Sequence, residues 1–134
     1  MDNVRDLLAL ARQAAARAYA PYSRFRVGAV VRDADGKLFA GCNVESASYG
    51  LTLCAERNAI FSAIAAGARR PFDALALACL DAAERGAPCL PCGACRQILS
   101  EHLSAEAPVV IDGGGSHTVG DLLPHAFALH AAQG

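Results

Sequence analysis

From Phe72 to Leu80 the chain is apolar on both alternating faces. A strand wetted on one side alternates apolar with polar residues, so a strand apolar on both sides has to be covered on both. This segment therefore predicts a central strand and asks the rest of the chain for two covering layers. Three helical signals can supply them. Residues 3–18 carry Val4, Leu7, Leu8, Ala11, Ala15 and Ala18 at helical spacing, with Asn3 suited to cap the start and Ala20-Pro21 to end the run. Ala55 to Ala66 reads as an Ala-rich helix closed by Gly67. A third helix is expected to open at Pro91, with Ile98, Leu99 and Leu103 as its apolar face.

Val27 to Val31 and Leu38 to Cys42 flank Asp33-Ala34-Asp35-Gly36 and read as a β-hairpin with Gly36 in the turn. Pro108 to Ile111 is a short strand. Asp112 to Ser116 is a Gly-rich turn leading to a last strand near Thr118-Val119, and Val119 to Leu123 closes with one helical turn. Helices interleaved with strands imply an α/β layered sheet, mixed because its first two strands form a hairpin. The 134 residues suit a single domain over residues 1–134.

Apolar residues make up 54% of the chain and charged residues 19%, rich enough to bury a core. No apolar run approaches the roughly 20 residues that span a bilayer. The start, MDNVRDLLAL, lacks a secretory pattern, so a soluble, cytoplasmic protein with no membrane partner is expected. The net charge is −1 and the Arg residues are scattered, which argues for a small substrate and against a nucleic acid. Six cysteines in such a chain point to thiols that bind metal or fill the core. Cys42 and Cys79 fall on predicted strands and are assigned to the core. His102, His117, His125 and His130 form no ligand pattern and are assigned to the surface.

Two segments carry the chemistry: Cys54-Ala55-Glu56-Arg57 and Pro91-Cys92-Gly93-Ala94-Cys95-Arg96-Gln97. Each opens a predicted helix, whose free N–H groups and partial positive charge favour thiolate over thiol. A structural zinc site usually closes with four protein ligands, whereas a catalytic one offers three and leaves a position for water. Cys54, Cys92 and Cys95 offer three. Cys89-x-x-Cys92 is a competing pair, but the helix start at Pro91 leaves Cys89 in the preceding loop. Zinc can bring the pKa of bound water to about 7. Glu56, two residues after Cys54, is placed to take that water's proton and return it to a leaving group. Three thiolates overcompensate Zn²⁺, and Arg57 and Arg96 are expected to donate to the sulfurs and offset the excess. The bland alternatives are an inert structural zinc and a helix-start carboxylate.

The pairing of C-A-E with P-C-x-x-C resembles the signature of the zinc deaminases. Phe25 to Ala29, Gly41 to Glu45, Ala47-Ser48-Tyr49, Cys54 to Arg57, Pro91 to Gln97 and Leu122-Leu123-Pro124 with Phe127 are all similar to the short, three-Cys cytidine deaminases, in the same order. The resemblance implies a three-layer α/β/α sandwich around a mixed five-stranded sheet, one zinc per chain, a nucleoside substrate and a homotetramer. It implies that Asn43 and Glu45 hold the ribose 3′-hydroxyl and that Phe25 and Phe127 stack on the pyrimidine, Phe127 from a neighbouring subunit. Ala47 and Tyr49 match positions that approach a neighbour's substrate. Ser46 departs from the family's usual Asn, and Ala128 to Gly134 lacks its usual acidic tail. Deaminases of antibiotic nucleosides and nucleic-acid editors are the neighbouring alternatives, and a zinc-stabilised interaction module is the non-enzymatic one.

Overall fold

The computed structural model describes residues 3–129, apart from the side chain of Arg85. Five strands form one sheet: β1 (Val27–Arg32), β2 (Leu38–Cys42), β3 (Ala74–Cys79), β4 (Pro108–Ile111) and β5 (Gly115–Thr118). Their order is β2-β1-β3-β4-β5, which puts β3 at the centre. β1 runs antiparallel to β2 and β3, β3 parallel to β4, and β4 antiparallel to β5, so the sheet is mixed. Among the described strands only the β3–β4 pair is parallel, and the longer of the two helices between those strands is the one opened by the second cysteine segment.

The alternation ALALAC in β3 sorts the two faces. Leu75, Leu77 and Cys79 join Val27, Ala29, Val31, Val109 and Ile111 in the larger core, which α2 (Ala55–Ala65) and α4 (Gly93–His102) cover. Ala74, Ala76 and Ala78 face the other way and pack with Val30 beneath Leu7 and Ala11 of α1 (Val4–Ala15). Phe72, Leu75 and Leu77 are completely buried, each contributing about 1.5–3 kcal/mol by leaving water.

Small residues let the helices come down onto the sheet. A Cβ on Gly28 would lie 2.0 Å from the Ala11 carbonyl oxygen of α1, and one on Gly41 would lie 2.4 Å from the Ala59 nitrogen of α2. These glycines sit on opposite faces, each directly under a helix backbone. Asn3 caps α1 by accepting from the Asp6 N–H at 2.9 Å. The hairpin turn is tied by the buried Asp33 carboxylate, which accepts from the N–H groups of Asp35, Lys37 and Arg69.

The structure adjusts several expectations. The third helix begins at Gly93, with Cys92 in extended conformation as its N-cap, so Pro91 precedes the helix. The last strand ends at Thr118, which caps the short helix α5 (Val119–Leu122) through a reciprocal bond with Asp121. A four-residue helix, α3 (Ala82–Arg85), follows β3. Cys79 is in the core as expected, but Cys42 on the edge strand β2 is half-buried. His102 and His117 are half-buried rather than on the surface, and the His102 ring stacks on Phe72 with centroids 6.4 Å apart. His125 is exposed, and His130 lies outside the described residues. Among the described residues no helix is long and apolar enough to cross a membrane.

Candidate active site

Cys54 is the N-cap of α2 and Cys92 the N-cap of α4, with Cys95 in the first turn of α4. Their sulfur atoms all lie within 4.8 Å of one another. Zinc–sulfur bonds of about 2.3 Å at the tetrahedral angle put sulfurs about 3.8 Å apart, so this cluster can close on zinc with small side-chain motions. Cys89 is outside the cluster and packs against the core instead.

The electrostatics of the thiols suit a cation. Cys54 is pulled down to about 5, first by its hydrogen bond with Cys95 and then by the Arg57 guanidinium, although burial opposes the shift. Cys95 is pushed up by that same bond and by burial. A thiol held in the thiolate form in this way, as Cys54 is, is the form that binds a metal cation. Arg57 donates Nη2 to Cys54 Sγ at 3.2 Å. Arg96 does not repeat this role. Its Nε donates to the Pro91 carbonyl at 2.8 Å and its Nη1 to the Leu122 carbonyl at 3.0 Å, so it braces the cysteine loop against the end of α5.

Glu56 is the second residue of α2 and only 4% exposed. Burial raises its pKa to about 7, helped by the nearby Cys54 thiolate. A carboxyl with that pKa can both take and give a proton near neutrality. It lies beside the thiol cluster, with Cys95 hydrogen-bonding to it.

The expected substrate contacts come from a second region, the loops around residues 19–26 and 43–53. Val44 bridges both Tyr19 and Leu53, so these loops run side by side. Asn43 is buried, and its amide serves the backbone: Oδ1 accepts from Val27 N–H and Nδ2 donates to the Phe25 carbonyl, both at 2.8 Å. That leaves one amide hydrogen for another partner. Glu45 accepts from the N–H groups of Tyr22 and Ser23 at 2.9 and 3.1 Å and from the Ser23 hydroxyl. These bonds outweigh burial and hold its carboxyl below the ordinary range.

Glu45, Tyr49, Tyr22, Ser23, Ser46 and Thr52 line a cavity of about 360 Å³. Phe25 packs half-buried against the larger core. Ala47 is exposed, and Tyr49, in a single 3₁₀ turn, is 79% exposed. Phe127 is 66% exposed, and its carbonyl accepts from Gln97 Nε2 at 3.1 Å. Ser23 also joins this region, through a bond that residue spacing does not reveal. Its only local signal is a serine two residues before Phe25, whose N–H it accepts at 3.0 Å.

Residues 1–111 match the family model of the cytidine and deoxycytidylate deaminase zinc-binding region. The chain is 50% identical over 120 residues to a cytidine deaminase of Mycobacterium tuberculosis, covering 89% of this chain and 85% of that one. It is 41% identical over 130 residues to a cytidine deaminase of Sporosarcina psychrophila, covering 94% and 92%. The crystal structure of a cytidine deaminase from Burkholderia pseudomallei superposes with a TM-score of 0.85 at 47% identity, over 95% of this chain and 100% of that one. A structure of the Mycobacterium tuberculosis enzyme gives 0.83 at 43% identity, over 96% and 100%.

Proposed function

The chain belongs to the cytidine deaminase family, and from that membership we propose that it hydrolyses cytidine and 2′-deoxycytidine to uridine and 2′-deoxyuridine in pyrimidine salvage. The observation that carries this reading is a nearly fully buried carboxyl, Glu56, with a pKa near 7 beside three thiols within 4.8 Å of one another. The reaction adds water to C4 of the pyrimidine, forming a C–O bond, and breaks the C4–N bond to release ammonia. Cys54, Cys92 and Cys95 would hold one zinc. Bound there, the ion would supply an acidified water as the nucleophile.

Glu56 then moves the protons. It takes one from the attacking water, delivers it to N3 of the ring, and passes a second to the departing amine. Burial matters twice over. It keeps the carboxyl basic enough to accept a proton at neutral pH, and it strengthens the field that the carboxylate exerts on the reacting atoms. Arg57, at the Cys54 sulfur, offsets the negative charge of the thiolates. Glu45 takes up a sugar hydroxyl from the loop region that Asn43 braces. Phe25 and Phe127 offer ring faces to the pyrimidine. The active unit is a homotetramer of single-domain chains, in the cytoplasm.

Loss of cytidine absorbance on incubation with the zinc-loaded protein tests the reading. Uridine and ammonia in equal amounts are the expected products. A fully zinc-loaded protein that leaves cytidine and deoxycytidine intact would overturn it.

A further inference from the structure

Glu45 has two oxygens and about four lone-pair directions. Oε1 is filled by the N–H groups of Tyr22 and Ser23. Oε2 receives the Ser23 hydroxyl, and among the described residues nothing else fills its second direction. The same serine oxygen accepts the Phe25 N–H at 3.0 Å, across Arg24, whose φ is +58°. A non-glycine residue in that left-handed region is held there only when its surroundings insist. Here the Ser23 oxygen spans it by accepting from Phe25, while the same hydroxyl donates to Glu45. Ser23 and Glu45 also share the wall of the 360 Å³ cavity.

We infer that Ser23 is a positioning residue for sugar recognition: its hydroxyl fixes the Glu45 carboxylate so that a single acceptor direction faces the cavity and takes one sugar hydroxyl. This inference rests on the cytidine reading above. Without Ser23 the carboxylate keeps its charge and its two backbone partners, but Oε2 gains a second open direction and water fills it. The hydroxyl of a bound nucleoside then competes with that water, and the carboxylate is free to rotate about its N–H anchors. The penalty falls on binding of the sugar and spares the chemistry at C4, because the side-chain bonds of Ser23 go to Glu45 and Phe25, and among the described residues none goes to the thiol and Glu56 cluster. Two features separate this role from ordinary turn stabilisation. The penalty depends on the substrate carrying the hydroxyl that Glu45 takes, and another hydroxyl side chain restores it.

The test measures kcat and KM for cytidine and 3′-deoxycytidine with the zinc-loaded wild type, Ser23→Ala and Ser23→Thr, with zinc content and thermal midpoint recorded for each. Ser23→Ala is expected to raise KM for cytidine about tenfold, the effect of weakening one hydrogen bond to a charged group, while kcat stays within about twofold. On 3′-deoxycytidine, which lacks the hydroxyl assigned to Glu45, the rise should fall below about twofold. Ser23→Thr should sit near wild type on both substrates. Equal KM penalties on the two substrates, a loss confined to kcat, or a folded Ser23→Ala indistinguishable from wild type would each overturn the inference. If Ser23→Ala does not fold, Ser23→Cys, a weaker donor of similar size, is read the same way, and absence of a cytidine-selective rise in KM overturns it. A wild type inactive on cytidine removes the underlying reading and this inference together. An active wild type without the selective penalty removes this inference alone.

Discussion

Arg57 Nη2 reaches Cys54 Sγ at 3.2 Å from one turn further along α2, while the Nε of the same guanidinium is buried without a hydrogen-bond partner. A buried unsatisfied N–H costs about 1–3 kcal/mol. A guanidinium held in that way against sulfur, a poor acceptor when neutral, makes sense where the sulfur is a thiolate. The arrangement favours a permanently charged thiol cluster, and hence a cation within it.

Cys54→Ala, Cys92→Ala and Cys95→Ala should each lose metal and activity together, since each removes one of three protein ligands. Cys89→Ala should retain about one zinc per chain, because Cys89 packs into the core outside the cluster. Metal analysis of the purified variants decides it. Loss of zinc from Cys89→Ala with retention in Cys92→Ala would reassign the ligands.

Glu56→Ala should keep its zinc and its fold but lose about 10²–10⁴-fold in turnover, the usual contribution of a general acid–base group. Glu56→Gln, similar in size and unable to take a proton, should lose a similar amount, which separates proton transfer from packing of a buried side chain. Single-turnover assays check it. A Glu56→Gln enzyme with near-normal turnover would mean that another group moves the proton.

Much of this site was legible from residue spacing, and the reason is local. Cys54 and Glu56 lie at the start of one helix and Cys92 and Cys95 at the start of another, so motif and geometry are nearly the same statement. The ALALAC run likewise announced a strand covered on both sides, and its two faces fill two cores. What spacing could not show were bonds between distant segments. Asn43 reaches residues 16 and 18 positions away, Glu45 grips a turn 22 and 23 positions away, and Arg96 reaches Leu122 across 26. Each is a polar residue whose partner is backbone, and backbone leaves no trace in composition. His102 escaped for a similar reason, because its burial depends on Phe72 and Arg70 in another part of the chain.

Gly28→Ala and Gly41→Ala should each destabilise by about 1–3 kcal/mol or more, because the new methyl meets helix backbone at 2.0 and 2.4 Å and forces the layer away from the sheet. Gly93→Ala, in the first turn of α4, meets nothing within 4 Å and should leave stability unchanged or slightly raised. Urea denaturation of the three variants checks the contrast. Equal midpoints would mean that α1 and α2 are not seated as described.

His102 should make stability depend on pH. Its pKa is lowered from the ordinary value near 6.5, first by burial and then by the Arg70 cation, with Glu101 opposing. Its Nδ1 lies 2.9 Å from Arg70 Nη1, an arrangement that suits neutral imidazole accepting a bond. Below about pH 6.5 the unfolded chain therefore takes up a proton that the folded chain resists, so stability falls as pH drops through that window and levels off above it. The urea midpoint of wild type should drop between pH 7.5 and 5.5 by more than that of His102→Gln. Parallel drops would show that His102 titrates alike in both states.

Phe127 tests how the pocket is completed. Its side chain is largely exposed while its carbonyl is anchored to Gln97 of its own chain. An exposed ring on an anchored backbone is available to a neighbouring subunit's pocket, the role proposed for it. If it stacks on the pyrimidine bound by a neighbouring subunit, Phe127→Ala should raise KM about tenfold with zinc content unchanged. Phe127→Ala chains keep Glu56 and zinc, and Glu56→Ala chains keep Phe127. Allowed to exchange subunits, the two should form mixed oligomers in which some sites take Glu56 from one chain and Phe127 from the other. Assayed well below KM, the mixture should then exceed the summed rates of its parents. No excess after exchange has been verified by mass, or gel filtration showing an active monomer, would place Phe127 outside any shared site.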